Sequence, residues 1–164
     1  MRIGIIGPSK IEKLEGINED ARKMISDLAE DLKDFEIVLT ADKGSVSEYF
    51  AQEYLDAGGK KLFSVIPLQD KEFGNEWVSR LGKVIDCGTW RNQPEKLNEE
   101  SDAIICLGYS AGGLIEMAYS KWFNEKPVYV VKEFISAELP DEATDSLDVR
   151  YVSIDEIELE DGSI

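Results

Sequence analysis

Asp102-Ala-Ile-Ile-Cys-Leu-Gly-Tyr-Ser-Ala-Gly-Gly-Leu-Ile-Glu116 reads as a short apolar run, a turn holding three glycines, and a helix beginning near Gly112. Ala103 to Leu107 is almost uninterrupted apolar sequence, which suits a strand covered on both faces, as in a parallel sheet. A strand feeding a glycine-rich turn and then a helix aims backbone N–H groups and a helix dipole at one spot. That arrangement favours an anion, and Gly108, Tyr109, Ser110, Ala111, Gly112 and Gly113 are its candidate ligand-binding residues.

Gly108-Tyr-Ser-Ala-Gly112 also fits the G-x-S-x-G nucleophile elbow, which exposes a serine on a strand-to-helix turn. A triad of that type needs a base to take the serine proton, usually histidine. The chain has no histidine, and no sequence signal places a lysine beside Ser110. Ser110 is therefore read as a turn residue that donates a hydrogen bond to a ligand rather than as a nucleophile.

Upstream of this segment, strands and helices alternate. Arg2 to Ile6 is a short apolar strand ending in Gly7-Pro8-Ser9-Lys10, where the first βα loop of a nucleotide-binding sheet carries its phosphate contacts. Gly4-Ile-Ile-Gly7 lacks the full G-x-G-x-x-G spacing, so Gly7, Pro8 and Ser9 read equally as a phosphate loop or as a tight turn. Asn18 is placed to cap a helix whose apolar face runs Ala21, Met24, Ile25, Leu28, Ala29, Leu32 and Phe35. Glu36 to Thr40 is a second strand. Ser45-Val-Ser-Glu48 has capping-box spacing, and its helix stops at Gly58-Gly59. Lys61 to Ile66 is a third strand.

Leu68 to Gly82 reads mostly as loop with a helical turn near Trp77, and Val84 to Cys87 as a fourth strand. Glu95 to Glu100 is a short helix ahead of the central strand. Beyond the glycine turn, Pro127 to Val131 and Val149 to Val152 are further strands, and Ile154 to Glu160 is a short acidic segment. The expectation is α/β: one Rossmann-like three-layer domain over residues 1–164, with a mostly parallel sheet and helices on both faces. Ligands of such sheets bind beyond the carboxyl ends of the strands near the topological switch point. The loops Gly7 to Lys10, Ala41 to Ser45 (with Gly44 and Ser45 as candidate contacts) and Gly108 to Gly113 gather there.

With 34 acidic and 18 basic residues the net charge is −16. Such a charge repels nucleic acid and anionic membrane, so neither is an expected partner. Two cysteines without a C-x-x-C pair, and no histidine, offer no metal set. No signal peptide opens the chain and no apolar run approaches the ~18 residues of a membrane span, so the cytoplasm is the expected compartment.

Ser101-Asp-Ala-Ile-Ile, Gly108 through Glu116 and Lys126-Pro-Val together resemble the lysine decarboxylase-like family, which includes the Lonely Guy phosphoribohydrolases and the molybdenum-cofactor carrier proteins. Gly112, Leu114 and Glu116 fall on its G-G-x-G-T-L-x-E pattern. Tyr109, Ser110 and Gly113 depart from it. Leu39 to Gly44, Ala57-Gly-Gly, Ile66-Pro67 and Arg91-Asn92 resemble further segments of the family. The resemblance implies a homodimeric protein that binds a nucleotide or other phosphorylated small molecule. It also implies, for an enzyme, that Glu116 and Arg91 would be catalytic in splitting base from ribose 5′-phosphate. Arg91 sits about one residue from the family position, and the lysine beside it is missing. No cofactor is implied.

Glu116, Ser120 and Asn124 form a polar stripe on a helix otherwise lined by Leu114, Ile115, Ala118, Trp122 and Phe123, and a helix apolar nearly all round is buried. The stripe faces solvent or a dimer partner on one reading, and a ligand's sugar on the other. Arg91 is either a solvated arginine or a phosphate partner. Ser45 either caps its helix or donates to the anion. Tyr109 either stacks on a base or fills a gap in the core.

Overall fold

The computed structural model describes residues 1–71 and 75–159. Seven strands form one sheet: β1 (Arg2–Ile6), β2 (Glu36–Leu39), β3 (Leu62–Ile66), β4 (Lys83–Asp86), β5 (Ala103–Cys106), β6 (Pro127–Val131) and β7 (Asp148–Val152). Their order is β4-β3-β2-β1-β5-β6-β7, and every ladder between them is parallel. Helices α1 (Glu12–Glu15), α2 (Ala21–Asp31), α3 (Val46–Asp56), α4 (Gln93–Glu99), α5 (Ala111–Tyr119) and α6 (Asp141–Thr144) fill the connections. Parallel neighbours require such crossovers, and helices on both faces then bury both sides of the sheet.

The alternation along the central strands builds two cores. With β1 and β5 paired from Ile3 opposite Ala103 to Ile6 opposite Cys106, Ile3, Ile5, Ala103 and Ile105 point into one apolar cluster with Ile25, Phe50 and Tyr54 from α2 and α3. Ile6, Ile104 and Cys106 point the other way, into a cluster with Leu97 of α4 and Met117 of α5. This is the expected three-layer α/β arrangement. The Tyr54 hydroxyl donates to the Phe35 carbonyl at 2.7 Å and accepts from the Lys61 amide at 3.1 Å, so one buried phenol ties α3 to the starts of β2 and β3.

Several local readings shift. Asn18 does not cap α2. Its Oδ1 accepts from the Asp20 amide at 3.0 Å, closing a turn that ends on Asp20, the residue at the helix cap position. β4 starts one residue earlier than expected, α4 two, and α1 and α6 are single turns too short to show periodicity. Asn75–Trp77 and Ile154–Glu156 are 3-10 turns. Residues 72–74 of the expected loop and Glu160 of the acidic segment lie outside the described residues.

The largest departure concerns α5. Leu114, Ile115 and Trp122 are 39%, 50% and 69% exposed, whereas Glu116 is half-buried and Ser120 is buried. The apolar face looks outward and the polar stripe looks in. Asn124 drops out of that stripe, because α5 ends at Tyr119 and Asn124 adopts a positive φ of 62° beyond it. Among the described residues, no helix is long and apolar enough to cross a membrane.

Candidate functional site

β1 lies between β2 and β5, so the chain leaves β1 and β5 toward opposite faces and their carboxyl ends part to form a crevice. Close packing makes that crevice rigid. A Cβ on Gly7 would lie 3.0 Å from Val46 Cγ1 and 3.2 Å from the Leu107 carbonyl oxygen. Gly108 adopts φ +105°, and a Cβ there would lie 2.6 Å from Leu14 Cδ2. Both positions need glycine, one for proximity and one also for its backbone angle.

The crevice opens into a cleft of about 430 Å³. The starts of two helices, one from each face of the sheet, contribute to its lining. Ser110, with extended backbone, caps α5: its Oγ accepts from the Gly113 amide at 3.0 Å and donates to the Gly7 carbonyl at 3.4 Å. That hydroxyl is committed at both ends, so the expected hydrogen bond from Ser110 to a ligand has no free donor in this arrangement. The Ala111 and Gly112 amides, also in the first turn, have no acceptor inside the helix and line the cleft. Ser45 caps α3 in the same way, its Oγ accepting from the Glu48 amide at 3.1 Å. The Glu48 carboxylate reaches back to the Gly44 amide at 3.0 Å. Ser45 and Ser47 both face the cleft.

Two carboxyls occupy the same cavity. Gln93 Nε2 donates to Glu116 Oε2 at 3.1 Å and to Thr40 Oγ1 at 2.8 Å, while Thr40 donates to the Val65 carbonyl at 3.0 Å. This relay anchors Glu116 to the rim of the sheet. Burial pushes the Glu116 carboxyl up to about 7, an effect opposed by the Gln93 hydrogen bond and reinforced by the Asp42 charge. Asp42, on the loop after β2, is pushed up to about 6 by burial and then by Glu48. Its Oδ1 is buried and has no hydrogen-bond partner.

Of the residues expected from sequence, Gly7, Ser9, Ser45, Ser110, Ala111, Gly112, Gly113 and Glu116 line this one cleft. Pro8 and Gly44 stand behind the lining, where the Pro8 carbonyl accepts from the Val46 amide and the Gly44 carbonyl from the Ile11 amide. Gly108 shapes the turn from beneath. Tyr109 fills a core gap: it packs on the second apolar cluster, its hydroxyl beside that of Tyr151, rather than offering a stacking face. Arg91 is exposed on the Trp90–Asn92 turn and does not line the cleft, where Trp90 and Gln93 stand instead. The expected pairing of Arg91 with phosphate therefore has no support in the geometry.

Lys13, Thr40, Asp42, Ser47 and Gln93 also line the cleft; of these only Asp42 lies in a loop expected there, and none was singled out from sequence. The capping box at Ser45 pointed to Ser47, since the first turn of a helix that starts at a strand's carboxyl end faces the crevice. The others carry no local pattern. A second hollow of about 350 Å³ lies at the amino ends of the strands, among Met1, Asp34, Phe35, Glu36, Lys61 and Leu159. No helix begins there. Among the described residues, no group of three or more histidine, cysteine, aspartate or glutamate side chains could hold a metal ion.

No protein-family model matches this sequence, and no curated protein does. Solved structures do match it. The Moco carrier protein from Chlamydomonas reinhardtii superposes with a TM-score of 0.72 at 19% identity, over 94% of this chain and 90% of that one. This chain has the fold of a Moco carrier protein. The molybdenum cofactor binding protein from the phototrophic bacterium Rippkaea orientalis gives a TM-score of 0.70 at 19% identity, over 94% and 90% of the two chains. The structural genomics target TM1055 gives 0.70 at 18% identity, over 94% of each chain. At such identities the likeness is one of fold. It extends the Moco carrier architecture over nearly the whole chain and leaves the chemistry to the cleft's own residues.

Proposed function

We propose that this protein binds a nucleotide or other phosphorylated small molecule in the cleft, without turning it over, and that it does so as a homodimer. The observation that carries the reading is the opening of two capped helix starts, α3 and α5, into one cavity that Ala111 and Gly112 line. Such amides and their helix dipoles attract an anion locally, whatever the charge of the rest of the chain. The volume of about 430 Å³ falls within the ~300–1,000 Å³ typical of small-ligand sites. Two proteins of this fold are named for the molybdenum cofactor they carry or bind, which supports a holding role. The outward apolar face of α5 supports a second copy of the chain as its cover.

One observation favours turnover. Glu116 is a carboxyl raised to about 7 by burial, suited to proton transfer near neutrality, and would serve a nucleoside 5′-monophosphate phosphoribohydrolase. The exposed position of Arg91 outside the cleft weighs against that reading. Adenine release from adenosine 5′-monophosphate, abolished by Glu116→Gln, would establish the enzyme.

Gly112 supplies a clean test of binding. It has open space where a Cβ would sit and its φ is not positive, so Gly112→Leu fills the cleft mouth without disturbing the core. Wild-type protein is expected to gain thermal stability with adenosine 5′-monophosphate or inorganic phosphate. Gly112→Leu is expected to melt like the unliganded wild type and to lose the gain. A wild type indifferent to both compounds, or a Gly112→Leu variant that binds as before, would defeat the reading.

A further inference from the structure

The lining of the cleft is not polar throughout. Trp90, Pro94 and Ile115 belong to it together with the turn from Ser110 to Gly113. Trp90 is the member that an anion site does not account for. It is half-buried, yet it belongs to neither apolar cluster of the core. Among the described residues its ring meets no other aromatic ring and no cation. Both polar groups of its backbone are committed: the amide donates to Asp70 Oδ2 at 3.2 Å, and the carbonyl accepts from the Gln93 amide. What Trp90 brings to the lining is therefore its indole.

The same bonds fix the position of that residue. The turn Trp90–Asn92 runs directly into α4, whose first residue, Gln93, is tied to Thr40 beyond the end of β2. Aromatic surface left in a cleft rather than in a core forgoes the gain from burial, and the ring of a bound molecule recovers it. Stacking reads the face of a ring, which every heteroaromatic system has, and so tolerates differences at its edge. It also adds affinity that the net charge of −16 does not oppose. Resting on the proposed anion site, we infer that Trp90 is a stacking platform, and that the cleft takes phosphorylated molecules bearing a flat heteroaromatic ring in preference to sugar phosphates or free phosphate.

The test is calorimetric titration of the full chain with inorganic phosphate, ribose 5-phosphate, adenosine 5′-monophosphate and inosine 5′-monophosphate. The wild type is expected to bind both nucleotides at least about tenfold more tightly than ribose 5-phosphate. Trp90→Ala is expected to bring the nucleotides to within about twofold of ribose 5-phosphate with phosphate affinity unchanged, and Trp90→Phe to keep most of the preference. Adenosine 5′-monophosphate is also expected to quench the tryptophan emission of the wild type and to leave that of Trp90→Phe unchanged, although Trp77 and Trp122 remain in that variant. This second readout serves if the alanine variant does not fold. A wild type that binds ribose 5-phosphate as tightly as the nucleotides, a Trp90→Ala variant that keeps the preference, or quenching that persists in Trp90→Phe overturns the inference while the anion site stands. If none of the four probes binds the wild type, the anion site falls and this inference with it.

Discussion

Burial holds Glu116 at about 7 against an ordinary 4.5, and Asp42 at about 6 against an ordinary 3.8. Both folded values are raised, so the native chain keeps these protons over a range in which the unfolded chain has already lost them. Stability from this source is complete below the unfolded values, falls as pH rises through the folded ones, and is level above them. The melting temperature is therefore expected to decline between about pH 4 and about pH 7. Glu116→Gln should flatten the decline, and an unchanged slope in that variant would show that the carboxyl titrates normally. Glu116 was legible in the sequence through its place after the glycine turn. Asp42 was not, because an aspartate in a loop ending Lys43-Gly44 looks like an ordinary turn residue, and the bridge that joins it to Val78 links segments far apart in sequence.

Helix α5 was legible as an element, but the burial expected of its apolar residues is not found. Its start followed from the glycines and the serine, and its cap is the expected one. The reading of an apolar helix as a buried one assumes that water covers whatever the core does not. Here the inward side carries Glu116 at a polar cleft and Met117 in the core, while Leu114, Ile115 and, on the turn that follows the helix, Trp122 are left outside. Covering a large apolar side chain contributes about 1.5–3 kcal/mol, and a twofold interface would cover each of these twice. Leu114→Glu combined with Trp122→Glu is therefore expected to weaken self-association by at least ~100-fold. Sedimentation velocity would then show a dimer for the wild type and a monomer for the variant. Two monomers would remove the proposed interface, and two dimers would move it elsewhere.

Across the whole molecule, the alternation of apolar runs with helical periods was enough to give a parallel sheet covered on both faces. The contents of the rim were less legible, because Lys13, Thr40, Asp42, Gln93 and Glu116 meet only when strands far apart in sequence pair. The net charge of −16 acts at this scale too. It repels an approaching anion at distances where the helix starts have little reach, and added salt screens that repulsion, the Debye length shrinking from tens of ångströms to under about 10 Å. Association of adenosine 5′-monophosphate is therefore expected to accelerate severalfold between about 20 mM and about 200 mM salt. Slowing over that range in stopped-flow traces would mean that local attraction governs the encounter.

The pairing of Ile3–Ile6 with Ala103–Cys106 joins segments separated by about a hundred positions along the chain. The donors of α3 belong to the early half and those of α5 to the late half, so a nascent chain halted before residue 103 carries only one wall of the cavity. Capture of a ligand in the proposed site would thus be tied to completion of the sheet's centre, and occupancy would protect the assembled state against reopening along the seam between β1 and β5.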